Sequence, residues 1–341
     1  MTNLVSERAL TRKDFASDQD VRWCPGCGDY AILATVQRTL PELGIAPEQM
    51  VWVSGIGCSS RFPYYMNTYG FHTIHGRAPA VATGIKVANP ELTVWLATGD
   101  GDGLSIGGNH LMHILRRNVD VNILMFNNRI YGLTKGQYSP TSEAGKVTKS
   151  TPLGSADSPV EPLAFALGSN ASFIARSIDV EAKHLARVLI RAARHTGASF
   201  VEIYQNCNVF NDGAFEHFRA RDVQEDRLLL LEHGQPLLFG KERNKGLRLN
   251  PKSLRLEVIE LGDGSPFSAD DVLVHDETNP VLAGLLAKMP AGPFPVAVGV
   301  FYSETRDSYE SRVVEQRRAA EAKQGPGDLR KLLFSGETWT V

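Results

Sequence analysis

Residues 92–103 read LTVWLATGDGDG, and this stretch decides the fold. The apolar run Leu92 to Ala97 is typical of a strand that is buried on both faces, and it leads directly into a glycine-rich turn. A helix is predicted after the turn, from about Gly107 to Arg117. A strand, a glycine-rich turn and a helix in this order indicate an α/β fold, and such a junction is where these folds bind a diphosphate.

Two acidic residues in that turn restrict what it can bind. Asp100 and Asp102 would repel phosphates, so a nicotinamide dinucleotide held by bare backbone amides does not fit. A divalent cation resolves the conflict, because Mg²⁺ takes oxygen ligands and bridges carboxylates to phosphates. We therefore expect one of the two aspartates to hold a metal ion that itself holds a diphosphate.

A pair of asparagines follows the next predicted strand. Val121 to Phe126 is a second apolar run, and Asn127 and Asn128 come directly after it, 28 residues beyond Asp100 in the case of Asn128. Alone, a G-D-G is most simply a tight turn and an N-N a hairpin or cap. Together, each at the end of a strand, they form the thiamine diphosphate signature. In it, Asp and Asn side chains, a backbone carbonyl and the diphosphate surround one Mg²⁺.

The surrounding sequence predicts an α/β domain with a largely parallel sheet. From Cys24 to about Cys207, helix-like and strand-like segments alternate. Tyr138 to Pro162 is rich in Ser, Thr, Gly and Pro, and we interpret it as a long loop that is either functional or a plain surface excursion. The other predicted elements are a helix over Tyr30–Leu40, a strand over Met50–Val53, a helix from Ala182 capped by Asp179, a strand over Ser199–Tyr204 and a charged helix over Glu315–Lys323. We expect an N-terminal arm at 1–20, a main domain at 21–235 and a C-terminal region at 236–341 that makes subunit contacts.

Composition excludes several classes of protein. The 341 residues carry 36 Lys and Arg against 38 Asp and Glu, and a net charge of −2 provides no broad positive field for nucleic acid or an anionic membrane. No apolar stretch approaches the ~18 to 20 residues of a membrane span, and the start of the chain lacks the apolar core of a signal peptide. We expect a cytoplasmic protein.

The four cysteines have a spacing that suggests a thiolate site. Cys24 and Cys27 form a C-x2-C pair, whereas Cys58 and Cys207 are single and distant. Such a set suits four thiolates assembled by the fold around Zn²⁺ or a [4Fe-4S] cluster. In the alternative, Cys58 and Cys207 are small buried apolar residues and the C-x2-C is a turn or a redox motif.

At this point the chain resembles a known family, the β subunits of the 2-oxoacid:ferredoxin oxidoreductases, and most closely the 2-oxoglutarate type. The resemblance covers about residues 23–208. It rests on the blocks WCPGCGDY at 23–30, GIGCSSR at 55–61, HGRA at 75–78, ATGIK at 82–86, the G-D-G-D turn and NNRIYGLTKGQ at 127–137. It implies a thiamine diphosphate-binding fold with a mostly parallel central sheet and a less regular C-terminal extension.

The resemblance also implies the residues of the site. Cys24, Cys27, Cys58 and Cys207 would hold one [4Fe-4S] cluster. The Mg²⁺ ligands would be Asp100, Asn128 and the carbonyl of Ile130. The residues expected to line the thiamine diphosphate are Ile56, Gly57, Cys58, Ser59, His75, Gly99, Asp100, Gly101, Asp102, Asn128, Ile130, Gly132 and Leu133. His75 could instead be a hydrogen-bonded core histidine.

Three further residues are candidates for the substrate site. Arg61 and Lys135 could meet the anionic ends of the 2-oxoacid or of coenzyme A, or they could be solvated surface cations. Leu133 stands where pyruvate-specific relatives have an asparagine, which favours the 2-oxoglutarate pattern. The alternatives are a pyruvate or broad-specificity enzyme.

For function, the resemblance implies coenzyme A-dependent oxidative decarboxylation of 2-oxoglutarate to succinyl-CoA and CO₂. Electrons would pass through the cluster to ferredoxin, and the reaction could run in reverse as reductive carboxylation. The chain lacks the C-x2-C-x2-C-x3-C-P run of a built-in ferredoxin, so the carrier would be external. An α subunit would complete the thiamine site in an αβ or (αβ)2 complex. A non-catalytic zinc-thiolate subunit is the rival from a different class.

Overall fold

The computed structural model describes residues 9–290 and 292–340, and an eight-stranded sheet forms its centre. The strand order is β2-β1-β3-β4-β6-β5-β11-β7. A separate sheet has the order β10-β9-β8 and is antiparallel. The strands are β1 Met50–Ser54, β2 Tyr69–His72, β3 Thr93–Gly99, β4 Val121–Asn127, β5 Phe173–Ile178, β6 Ser199–Tyr204, β7 Leu228–Leu231, β8 Leu238–Phe239, β9 Lys245–Leu249, β10 Leu256–Glu260 and β11 Val296–Ser303.

Helices cover both faces of the central sheet. They are α1 Asp29–Thr39, α2 Ala78–Ala88, α3 Asp100–Leu104, α4 Gly108–Arg117, α5 Pro162–Gly168, α6 Ala182–Arg194, α7 Glu216–Arg219, α8 Gln224–Arg227, α9 Pro280–Ala287, α10 Tyr309–Gln324 and α11 Leu329–Leu333. On one face, α1 and α6 pack around the stacked indoles of Trp52 and Trp95. On the other face, α2, α4, α5 and α9 pack against the alternate residues of the same strands. Burial on both faces explains why these strands read as continuous apolar runs.

Parallel pairing brings the ends of four strands to one edge of the sheet. β1, β3, β4 and β6 are neighbours and run in the same direction. The register pairs Ser54 with Ala97, Gly99 with Phe126, and Asn127 with Tyr204. The segments that leave these strands therefore start within three residues of the same level, at the edge where ligands bind in α/β sheets.

Most of the elements predicted for the first two hundred residues are confirmed. The strand predicted at 199–204 has those bounds, and the other predicted strands and helices agree to within two residues. The segment 138–161 contains no helix or strand, although Thr148 and Thr151 form an isolated bridge. The predicted charged helix at 315–323 is the later part of α10.

The predicted helix cap at Asp179 is wrong. Helix α6 begins at Ala182 after Glu181, without a side-chain cap. The carboxylate of Asp179 instead accepts hydrogen bonds from the backbone N of Asn206 at 3.0 Å and from Nε of Arg219 at 3.2 Å. Asp179 therefore stabilises the turn after β6, because that turn offers it a backbone donor and a cation that sequence alone does not place nearby.

The central sheet also takes in chain from beyond residue 235. Strand β11 lies between β5 and β7, antiparallel to β5 and parallel to β7. The division at residue 235 stays a prediction, but one sheet crosses it. Of the predicted arm at 1–20, residues 1–8 lie outside the described residues, and Phe15 is fully buried. No helix in the described chain combines the length and the apolar character that a membrane crossing needs.

Gly299 tests the placement of β11. Its φ is +126°, and a Cβ there would lie 2.6 Å from the backbone O of Leu231 on β7. We expect Gly299→Ala to cost about 2 to 4 kcal/mol of stability, because both the backbone conformation and the close approach exclude a side chain. The matched control is Gly284→Ala in α9, where the added Cβ would make only an ordinary contact with Leu167 at 3.5 Å.

The measurement is the Tm of the purified protein by differential scanning fluorimetry. Gly299→Ala should lower the Tm by several degrees, whereas Gly284→Ala should leave it unchanged or raise it slightly, because alanine has the higher helix propensity. Equal Tm values for the two variants would contradict this arrangement of β7 and β11.

Candidate functional site

A small cavity at the carboxyl edge of the sheet brings together all the residues predicted to bind the cofactor. Its volume is about 90 Å³, and it lies where β1, β3 and β4 end. The predicted residues that line it are Ile56, Gly57, Cys58, Ser59, His75, Gly99, Asp100, Gly101, Asp102, Asn128, Ile130, Gly132 and Leu133. Segments more than seventy residues apart in sequence thus form one site.

Asp102 joins three of these segments through its carboxylate. Oδ1 accepts hydrogen bonds from the backbone N of Ile56 at 3.0 Å and of Gly76 at 2.8 Å, and Oδ2 accepts one from Oγ1 of Thr98 at 2.7 Å. A Cβ at position 55 would lie 2.0 Å from Oδ2, so only glycine permits this approach. Of the two aspartates in the turn, Asp102 is thus the one engaged in holding the walls of the cavity.

His75 lies at the open side of the cavity. Its Nδ1 is 2.5 Å from Oδ1 of Asp102, and 40% of its side chain is exposed. Its ring also meets that of Tyr131 edge-on, with 6.5 Å between centroids. The alternative of a core histidine is wrong, because the side chain is half exposed and lines the cavity.

Asp100 is the aspartate whose surroundings suit a cation. It is 2% exposed, and burial raises the pKa of its carboxyl to about 6 although hydroxyl groups of Ser139 and Thr141 donate to Oδ2. In the described part of the chain, no Lys, Arg or His forms an ion pair with it. Asn128 lines the same cavity, and its Oδ1 accepts from the backbone N of Ile130 at 3.2 Å. A buried carboxylate with an amide oxygen in the same cavity fits the preference of Mg²⁺ for oxygen ligands.

The four cysteines line a second cavity of about 350 Å³. Cys24 and Cys27 precede α1, Cys58 follows β1, and Cys207 follows β6. A Cβ on Gly132 would lie 3.6 Å from Sγ of both Cys58 and Cys207, so these two sulfurs flank the loop after β4. Within 9–290 and 292–340, no three His, Cys, Asp or Glu side chains are grouped closely enough to bind a single metal ion.

Burial raises the pKa of the Cys58 thiol to about 12 and raises that of Cys27 further. Only Cys27 of these two belongs to the C-x2-C pair, and its raised pKa does not suit a redox-active thiol, which needs a lowered one. Convergence of all four cysteines on one cavity fits a four-thiolate site, in which each cysteine thiolate would bind one iron of a [4Fe-4S] cluster.

The candidate substrate residues lie on the second cavity. Arg61 and Lys135 both line it, and Leu133 lines both cavities. Nη1 of Arg61 donates to the backbone O of Arg22 at 2.6 Å. Lys135 is exposed and has a φ of +82°, a conformation that is rare outside glycine and often marks a functional loop.

Sequence reasoning missed several polar residues of the site. Asp29 and Gln205 line the first cavity, and Asp29 is 1% exposed, so burial raises the pKa of its carboxyl to about 7. Both lie at features that the sequence makes visible, since Asp29 is within the WCPGCGDY block and Gln205 directly follows β6. Ser139 and Thr141 gave a weaker signal, because they lie in a loop whose fold the sequence does not predict.

A larger cavity of about 480 Å³ lies between α6, β7 and β8. It is lined by Glu181, His184, Glu232 and Lys241, among others, and by none of the predicted site residues. The two cavities at the sheet edge are therefore identified as the candidate site by the residues that line them, and not by their volume.

Comparison with known proteins agrees with this site. Residues 51–203 match the thiamine pyrophosphate enzyme family, C-terminal TPP binding domain. The chain is 52% identical over 336 residues to the 2-oxoglutarate oxidoreductase subunit KorB of Mycobacterium tuberculosis, covering 96% of this chain and 88% of that one. It is 44% identical over 282 residues to the β subunit of 2-oxoacid:ferredoxin oxidoreductase 2 of Aeropyrum pernix, covering 82% of this chain and 88% of that one.

A solved structure matches over nearly the full length. It is the 2-oxoglutarate:ferredoxin oxidoreductase from Magnetococcus marinus with 2-oxoglutarate, coenzyme A and succinyl-CoA bound. The TM-score is 0.77 and the identity 32%, with 98% of each chain covered. Because near-complete coverage in sequence and in structure accompanies the cavity and its motifs, the chain belongs to the family of the 2-oxoacid:ferredoxin oxidoreductase β subunits and is part of an enzyme.

Proposed function

We propose that this chain is the β subunit of a 2-oxoglutarate:ferredoxin oxidoreductase. The complex would convert 2-oxoglutarate and coenzyme A to succinyl-CoA and CO₂, pass the electrons to ferredoxin, and also run in reverse. One observation carries the proposal: the cavity with the thiamine motif and the cavity with the four cysteines share a wall. Residues common to both are Cys58, Asn128, Gly132, Leu133 and Gln205.

The residues of the first cavity would hold thiamine diphosphate and Mg²⁺. The cation would be bound by Asp100, Asn128 and the carbonyl of Ile130. The cation would in turn bind the diphosphate. When bound, the cofactor would supply a thiazolium that acts as an electron sink for the decarboxylation, and a cluster held by the four cysteines would accept the electrons. Asp102 holds the loops at 55–57 and 75–76 against the site, and the shared wall would keep the two groups adjacent.

The small size of the first cavity supports a partner subunit. At about 90 Å³ it is well below the ~300 to 1,000 Å³ of typical small-molecule sites, so this chain alone would enclose only part of a thiamine diphosphate. We propose that an α subunit supplies the remaining wall, in an αβ or (αβ)2 complex. Reduced thiols and an oxygen-sensitive cluster suit the cytoplasm.

The substrate proposal is supported by the relatives and by the cations of the second cavity. The Magnetococcus marinus enzyme has 2-oxoglutarate and coenzyme A bound, and the Mycobacterium tuberculosis relative is a 2-oxoglutarate oxidoreductase subunit. A five-carbon dicarboxylate needs a cation for its distal carboxylate, and Arg61 and Lys135 are available. Arg61 is the stronger candidate because a guanidinium can form two parallel bonds with a carboxylate.

The decisive experiment is anaerobic purification with the partner subunit, followed by methyl viologen reduction with several 2-oxoacids and coenzyme A. Reduction that depends on 2-oxoglutarate and coenzyme A is expected. A preference for pyruvate would favour the pyruvate-type alternative. A colourless protein with zinc and no activity would favour the zinc-thiolate rival.

Cys207→Ser tests the cluster. If the four cysteines hold one [4Fe-4S] cluster, the variant should lose the brown colour, the broad absorption near ~400 nm and about four irons per chain together. Iron and zinc are measured in the same samples of wild type and variant. A variant that keeps a full complement of iron would refute the assignment of Cys207.

Asp100→Asn tests the cation site. The variant should lose thiamine diphosphate on desalting and keep its iron, because removing the charge weakens Mg²⁺ binding and thereby the diphosphate. Cofactor content is measured by mass spectrometry of the released small molecules. The matched control is Asp157→Asn in the loop at 138–161, where the carboxylate accepts from Tyr138. Unchanged cofactor content in Asp100→Asn would remove Asp100 from the site.

Arg61→Ala and Lys135→Ala test substrate choice. Losing the cation that meets the distal carboxylate should cost ~2 to 4 kcal/mol of selectivity for 2-oxoglutarate over pyruvate, mainly as a raised KM. Each variant is assayed on both acids and on coenzyme A, with the exposed Arg38→Ala in α1 as control. If neither variant changes the ratio, the α subunit must recognise the distal carboxylate.

A further inference from the structure

The loop after β4 returns to the candidate cation ligand. Ser139 and Thr141 are 2% and 4% exposed, and both contact the same oxygen, Oδ2, of Asp100. Oγ1 of Thr141 lies 2.6 Å from Oδ2 of Asp100 and 2.9 Å from Oδ1 of Asn127, so its single proton is shared between two acceptors. Neither hydroxyl contacts the other carboxylate oxygen of Asp100.

Asn127 connects this pair of hydroxyls to a buried ion pair. Its Nδ2 donates to Oε1 of Glu202 at 2.7 Å, which fixes the amide with its oxygen toward Thr141. Oε2 of Glu202 accepts from Nε of Arg176 at 2.6 Å, and the exposed fractions of the two side chains are 0% and 6%. The guanidinium of Arg176 also lies over the rings of Tyr204 and Phe301.

This arrangement leaves Asp100 little freedom to rotate. Asn127 and Glu202 lie on β4 and β6, which are paired in the centre of the sheet, so the anchor is rigid. A side chain that binds a metal is usually oriented by such outer partners, and removing one typically weakens metal binding by about 10- to 100-fold. The series of hydrogen bonds from Arg176 through Glu202 and Asn127 to Thr141 has the form of such a support.

We propose that Ser139 and Thr141 are positioning residues that orient the Asp100 carboxylate and thereby set the affinity of the site for its divalent cation. The inference rests on the proposed function, because it presupposes that Asp100 binds the cation. It assigns a role to the start of the loop at 138–161, which the sequence leaves open between function and surface excursion. A purely structural role would make the two hydroxyls matter for stability and not for cation affinity.

The test measures Mn²⁺ affinity by electron paramagnetic resonance of free Mn²⁺, with excess thiamine diphosphate, on the complex with its partner subunit purified anaerobically. Thr141→Val removes the hydroxyl at nearly constant shape, and we expect it to weaken Mn²⁺ binding by about tenfold or more. Thr141→Ser keeps the hydroxyl and should bind within about twofold of wild type. Ser139→Ala should also weaken binding.

The matched control is Thr39→Val in α1, where a buried hydroxyl donates to the backbone O of Thr35 at 2.8 Å, remote from the site. It should leave Mn²⁺ affinity unchanged whatever it does to the Tm. Iron content and Tm are recorded for every variant, and they should change little in Thr141→Val and Ser139→Ala.

The outcomes separate the two proposals. Wild type that binds no Mn²⁺ in the presence of thiamine diphosphate contradicts the proposed function and this inference with it. Wild type that binds Mn²⁺ while Thr141→Val binds equally well overturns this inference alone. Should Thr141→Val fail to assemble, Ser139→Ala decides, since wild-type affinity in that variant is incompatible with a positioning role.

Discussion

Parallel pairing of β1, β3, β4 and β6 is the constraint on which the site depends. Backbone hydrogen bonds fix the register of these strands, and the register fixes where each loop begins. If either strand slipped by two residues, Asp100 after β3 and Asn128 after β4 could no longer line the same cavity. The cysteines of the second cavity follow the same rule, since Cys58 comes after β1 and Cys207 after β6 at this edge.

Two neighbouring aspartates take different roles because of their surroundings. Asp102 accepts hydrogen bonds from backbone amides of two loops and anchors them, whereas Asp100 accepts side-chain hydrogen bonds from the hydroxyls of Ser139 and Thr141. Since both are buried, their charges must be compensated. For Asp102 the protein supplies that compensation itself. For Asp100 it supplies only part, which is the physical argument for a cation.

Local sequence predicted the parts of the molecule that depend on local physics. The apolar runs at β3 and β4 are strands because both faces are buried, and the motifs after them predicted the residues of the first cavity. Asp179 was misassigned because its partners, Asn206 and Arg219, are distant in sequence. Strand β11 was missed because it pairs across more than 120 residues with β5. The sequence predicts that these strands end at one edge of the sheet. It does not predict the hydrogen bonds that connect Asp100 through Thr141 and Asn127 to Glu202.

The wall shared by the two cavities has a consequence for how such an enzyme can diversify. Interiors are close-packed, so a change of side chain volume at Leu133 or Gln205 alters both compartments at once. If the two cavities hold the cofactor and the cluster as proposed, selection on substrate choice and selection on electron flow would therefore compete at these positions. His75 lines only the first cavity and Lys135 only the second. A change at such a residue alters one cavity and leaves the other unchanged. New specificities should accordingly arise first at residues that line only one cavity, and later at residues of the shared wall.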